Sequence, residues 1–184
     1  MNNFFTLYAG QIEVFIQGKT RFDFKQALEK LEKALPGYFL MQGIDVIYVG
    51  EFEDLRERDL NAAYADGAIY VLPEQSSEQD FLDDIVHEVA HSLEERFTDF
   101  IYGDGKIQQE YKEKYLKLIG LMGKQAQIGI PEKFLKTVPF EYDPEWDEFL
   151  YQTVGYDILH ILTPGLFASP YGATSLREYW ANAF

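Results

Sequence analysis

Phe24, Leu28, Leu31 and Leu35 recur at the spacing of one helix face. Asp23 and Gln26 stand like a capping box before them and Pro36-Gly37 ends the run, so residues 23 to 35 are expected to form an amphipathic helix. The period then changes. IDVIYV (44 to 49) alternates, and AIYVL (68 to 72) is a short β-branched and aromatic run between Asp66-Gly67 and Pro73. Both read as strands, so two strands are expected before the next helix. That helix should begin near Gln79 or Asp80, after the polar EQSSEQ, and run to about Phe97. Phe81, Leu82, Ile85, Val86, Val89 and Leu93 supply its buried side, and His87 and His91 lie on another.

Ile107, Tyr111, Tyr115, Leu118 and Met122 form another helical stripe, whereas residues 123 to 143 keep no period and are expected to be loop or short irregular pieces. Asp143-Pro144 reads as an N-cap followed by proline at the first helical position. The pattern from Trp146 to Leu162 then predicts one continuous, mostly buried helix ending at Thr163-Pro164-Gly165. A last helix should start at Thr174 or Ser175 and is still helical in pattern at Phe184, where no capping signal appears, as in a truncated chain. No internal repeat or low-complexity tract interrupts this order.

Composition narrows the chemistry. The 184 residues suit one domain, and 31 acidic against 16 basic residues give a net charge of −15, which repels nucleic acid and anionic lipid and favours basic partners. Apolar residues make up 47% and aromatics 16%, so the chain should fold. With no cysteine, thiolate catalysis and Cys-ligated metals are excluded, and any metal must be held by His and carboxylate. No basic segment precedes an apolar one at the N-terminus, and no apolar stretch is long enough to span a membrane. A cytoplasmic location is the default expectation, with delivery by another route open.

Against that background His87-Glu88-Val89-Ala90-His91 is the sharp signal: a complete H-E-x-x-H in a helix pattern. Residues four apart on a helix lie about 5 to 6 Å apart at Cβ, so both imidazoles can converge on one zinc ion. Glu88 then stands beside them, able to take a proton from a zinc-bound water and pass it to a departing amine. The plain alternative makes His87 and His91 surface histidines paired with Asp84, Glu94 or Glu95, and the same carboxylates are also candidates to accept the spare imidazole N–H. A catalytic zinc needs a third protein ligand, for which Asp157, His160 and Glu178 are available. His160, within ILHIL, reads better as a core histidine bonded to backbone, and Glu178 also fits a capping box with Ser175.

HEVAH followed by YGATSLREYWANAF resembles the catalytic domain of the anthrax lethal factor type, including the related Pro-Pro endopeptidases, within the zincins. The resemblance implies Glu178, in EYWANAF, as the third zinc ligand. It also implies that Tyr171, in a Tyr-Gly turn seven residues earlier, donates to the oxyanion on the scissile carbonyl; a neutral phenol aimed there stabilises the transition state more than the ground state. Two features depart from that family. Asn182 stands where a second glutamate is frequent, leaving only a neutral amide to orient a ligand, and 86 residues separate His91 from Glu178, more than in compact members. The motifs cover about 20 of the 184 residues, so substrate specificity does not transfer. AIYVL is similar to the edge strand that holds an extended peptide in this fold class.

These readings converge on an α+β fold of zincin type, with a small mixed sheet packed on the HExxH helix. It forms one domain over 1–184, with a helical insertion over 98–165. The expected activity is zinc-dependent hydrolysis of a peptide bond in a protein or peptide substrate, favoured when basic. His87, His91 and Glu178 hold the metal, Glu88 is the general base and Tyr171 the oxyanion donor. The alternative is a catalytically inactive zincin-like module serving structure or protein interaction in a toxin or larger particle.

Overall fold

A computed structural model describes residues 3–19, 21–37, 42–58 and 60–184. The fold class is α+β, and the chain divides into two compact units, Met1–Phe97 and Thr98–Phe184. Among the described residues no helix is long and apolar enough to cross a membrane.

The first unit is a five-stranded mixed sheet covered on one face by helices. Strands β1 (Asn3–Leu7), β2 (Ile12–Ile16), β3 (Val46–Val49), β4 (Ala62–Ala65) and β5 (Ala68–Val71) are ordered β1-β2-β3-β5-β4. The central three run parallel, and β1 and β4 are antiparallel edges. The two-strand expectation is therefore too small. The alternation in IEVFI, with Ile12, Val14 and Ile16 buried, adds the β1–β2 hairpin, and AAYA adds β4. AIYVL is also not an edge: β5 lies between β3 and β4, and β4 carries the open edge.

Helix α1 (Phe24–Ala34) starts where Asp23 accepts the Gln26 N–H at 3.1 Å, as the capping pattern predicts. It buries Phe24, Ala27, Leu28 and Leu31 on the sheet. A five-residue helix, α2 (Glu53–Glu57), precedes β4. Helix α3 (Glu78–Tyr102) lays Phe81, Ile85, Val89 and Leu93 on the same sheet face, against Val14, Ile47 and Ile69 among others. Burying each such side chain stabilises the fold by about 1.5–3 kcal/mol before conformational entropy is counted. The helix outruns its expected end at Phe97, which itself departs from helical geometry (φ −117, ψ 24). On the opposite sheet face Phe4, Phe15, Tyr48 and Tyr70 stack across four strands, with centroids 4.9, 5.4 and 5.5 Å apart in turn.

Asp66 and Gly67 alone join β4 to β5, both with positive φ (47 and 83), the primed turn that matches strand twist. Asn61 O accepts from Leu72 N, so in the ladder residues 61, 63 and 65 bond to β5 while Ala62 and Tyr64 turn their main-chain groups to the open edge.

The second unit is helical. Helices α4 (Lys106–Lys124), α5 (Glu132–Lys136), α6 (Pro144–Glu148), α7 (Tyr156–Leu162) and α8 (Leu176–Ala183) contribute to one buried cluster that includes Trp146, itself on α6 and fully buried. The Tyr115, Phe134 and Phe149 rings stand 5.3, 4.9 and 5.5 Å from it. Asp143 caps α6 through the Glu145 and Trp146 N–H groups, as read from Asp143-Pro144. The single helix expected over 144 to 162 is broken. After α6 the backbone widens into a π-turn at Phe149–Val154, closed by Gly155 N–H to Leu150 O at 2.9 Å. Gly155 then takes φ 81, ψ 144, a conformation reserved for glycine. Nor is the segment mostly buried: Tyr151, Ile158 and Ile161 are exposed.

Candidate metal centre

Packing against the sheet fixes the rotation of α3 about its axis, and this places its polar residues. With Phe81, Ile85, Val89 and Leu93 on the sheet, His87, His91 and Glu94 at i, i+4 and i+7 share another stripe. His87 and His91 are half-buried, and Glu88 and Glu94 are buried, the latter to 3% exposure. The two Nε2 atoms lie 3.1 Å apart. Two donors on a tetrahedrally held zinc stand about 3.3 Å apart, so the pair is already spaced for a shared ion. One donor atom each from His87, His91 and Glu178 lie within 4.8 Å of one another, a group that could hold a metal ion. Two imidazoles and a carboxylate make a nitrogen and oxygen donor set that suits zinc and other divalent transition metals.

Glu88 is held from the sheet. The Tyr64 N–H, unused by the β4–β5 ladder, donates to Glu88 Oε2 at 2.7 Å. One turn earlier, burial and then the Glu88 charge push the Asp84 carboxyl up to about 6, against the opposing pull of Gln75 and His87. Among the described residues, Asp84 Oδ2 and Gln75 Oε1 are buried acceptors that meet no hydrogen-bond donor. On the other side of the pair, His91 Nδ1 lies 3.4 Å from Glu94 Oε2.

In the second unit Tyr171 lies in a 3-10 turn, Pro170–Ala173, just ahead of α8. Trp146 Nε1–H donates to the Ala173 carbonyl at 3.0 Å, and the Tyr111 hydroxyl shares its one proton between that carbonyl (3.3 Å) and Pro139 O (3.2 Å), tying this turn to the buried core. Thr174 Oγ1 donates to Tyr171 O at 2.8 Å. Ser175 Oγ accepts the Glu178 N–H at 3.2 Å, so half of the expected capping box is made. Tyr179, next to Glu178, takes a bond from Lys114 Nζ (2.6 Å) and donates to Glu110 Oε1 (2.8 Å), fastening α8 to α4. Burial, and after it the Glu178 carboxylate, raises the Tyr171 hydroxyl well above its ordinary range, so the phenol stays neutral.

Asn182 does not act on the Glu178 carboxylate in the way its position suggested. Its amide donates to the Glu178 backbone carbonyl at 2.8 Å and its oxygen accepts from Ser169 Oγ at 2.6 Å, which ties α8 to the turn before it. His160 and Asp157, the other candidate ligands, are exposed on α7, and His160 is not the core histidine its apolar neighbours suggested. Two contributions escaped the sequence: the Tyr64 main chain, which has no residue-type signature, and the Trp146–Ala173 bond, which joins residues 27 apart.

No family model, curated protein or solved structure matches the chain.

Proposed function

We propose that the chain is a zinc-dependent endopeptidase of zincin type, in which His87, His91 and Glu178 hold the ion. The observation that carries this reading is the His87–His91–Glu178 donor group with its Nε2 pair at 3.1 Å, on the helix that also bears Glu88. A bound zinc ion supplies Lewis acidity, polarising a carbonyl and making water a nucleophile near neutral pH. Glu88, held by the Tyr64 N–H, takes the proton from the attacking water and returns it to the departing amine nitrogen as the C–N bond breaks. Tyr171, kept neutral, donates its hydroxyl proton in a hydrogen bond to the oxyanion that develops on the scissile carbonyl. The substrate is an extended peptide added along the open edge of β4, and the net charge of −15 favours basic sequences.

The test measures zinc content and cleavage of unstructured protein substrates by the wild-type chain, Glu88→Gln and Glu178→Ala. Zinc retained with cleavage lost in Glu88→Gln, and both lost in Glu178→Ala, support the reading. Undiminished cleavage by Glu88→Gln removes Glu88 from the mechanism. Zinc bound by a wild-type chain that leaves every substrate intact moves the assignment to the non-catalytic module.

A further inference from the structure

Glu94 follows His91 by three residues on α3 and is 3% exposed, unlike its exposed neighbour Glu95. A carboxylate costs several kcal/mol to bury unless it is compensated by hydrogen bonds or opposite charge. Here its Oε2 faces His91 Nδ1 at 3.4 Å, while His91 Nε2 faces His87. The two ring nitrogens of a neutral imidazole divide one proton between them, so an acceptor at one decides what the other can do.

We infer that Glu94 is a positioning residue that holds the His91 proton on Nδ1 and so turns the Nε2 lone pair toward the metal, an inference that rests on His91 being a metal ligand. Its consequence in the metal-free chain is specific. With the His91 proton on Nδ1, the lone pair of that ring lies on Nε2, the nitrogen that faces His87 at 3.1 Å. Metal binding then has one imidazole already in its ligating tautomer. Partners of this kind behind a ligating histidine typically strengthen metal binding about 10- to 100-fold.

The experiment uses the full chain with Glu94→Met, which refills the buried volume without an acceptor, and Glu94→Gln, which keeps an oxygen. Proton–nitrogen correlation spectra of metal-free protein with labelled histidine, above the imidazole titration range, report each tautomer; three histidines make assignment by single substitution practical. The expected result is Nδ1–H at His91 in the wild type and a shift toward Nε2–H in Glu94→Met. With it, zinc affinity measured by chelator competition should fall about 10- to 100-fold in Glu94→Met and less in Glu94→Gln. An unchanged His91 tautomer in Glu94→Met, or zinc affinity within twofold of wild type, overturns the inference. A wild-type chain that binds no zinc yet shows the Glu94-dependent tautomer sinks the endopeptidase reading while upholding the hold of Glu94 on His91.

Discussion

Tyr64 donates its backbone N–H to the Glu88 carboxylate at 2.7 Å, so the proposed general base is held by the edge of the sheet. This bond fixes the position of the carboxylate that the proposed mechanism uses as a base. Glu88→Gln should lower kcat/KM by about 10²- to 10⁴-fold with zinc content unchanged. Tyr64→Pro removes the donor at an edge position where proline is tolerated, and should lower kcat roughly 10- to 100-fold. Tyr64→Phe, which keeps the N–H, should cost far less. Equal losses in the proline and phenylalanine variants would assign the effect to the side chain.

Asp84 gives the metal-free protein a defined pH response. Its carboxyl is raised from 3.8 to about 6 on folding, so the folded chain holds a proton that the unfolded chain has released. The stability contributed is present below about pH 4 and is lost as pH rises through 6. Asp84→Asn removes this loss. The variant should gain on the order of 1–2 kcal/mol over wild type above pH 7, allowing for partial solvent screening, with the difference vanishing near pH 4. Urea unfolding across that range checks it, and a difference that does not change with pH contradicts it.

The Ala173 carbonyl joins the second unit's core to the segment that carries Tyr171 and Glu178. Trp146→Phe deletes one of its two donors and some buried ring, and should cost about 1–3 kcal/mol. Tyr111→Phe deletes the other for about 1 kcal/mol. Because both act on one oxygen, the double variant should depart from the sum of the two, and a denaturant series over all four proteins measures this coupling. Strict additivity would mean that the shared carbonyl is not the link.

Zinc should stabilise the folded chain by mass action. At a free concentration 100 times Kd the gain is about 2.7 kcal/mol, visible as a rise in Tm that a chelator reverses. Glu178→Ala should abolish most of that rise, and His160→Ala should leave it intact.

What could be read from residues alone follows the range of the forces involved. Helix α1 and its Asp23 cap, the α3 stripe and the Asp143-Pro144 start were legible because each is set within a turn or two of chain. So was the H-E-x-x-H spacing. Strand β2 was equally legible in its alternation, although the β1–β2 hairpin was not predicted. The position of AIYVL in the sheet was not readable, because strand order depends on pairing between distant segments. The break at Gly155 lay hidden in a pattern that remains helical in period across the π-turn. Among the site residues, Glu178 was reached through a resemblance, since nothing local separates it from a capping glutamate. The choice of Glu94 among the neighbouring carboxylates needed the depth to which each is buried.

The two-residue link at Asp66-Gly67 reaches further than its size suggests. One residue more or fewer there, with β4 kept in the sheet, would turn every β4 side chain to the other face and bring the N–H of Ala63 or Ala65, in place of Tyr64, to the position that Glu88 meets. Loop length thereby decides which residue anchors the proposed base and which β4 side chains face the core. A lineage that altered this hairpin would keep a main-chain anchor for its base while turning the Tyr64 ring to the opposite face of the sheet, even with every residue of the HEVAH segment retained.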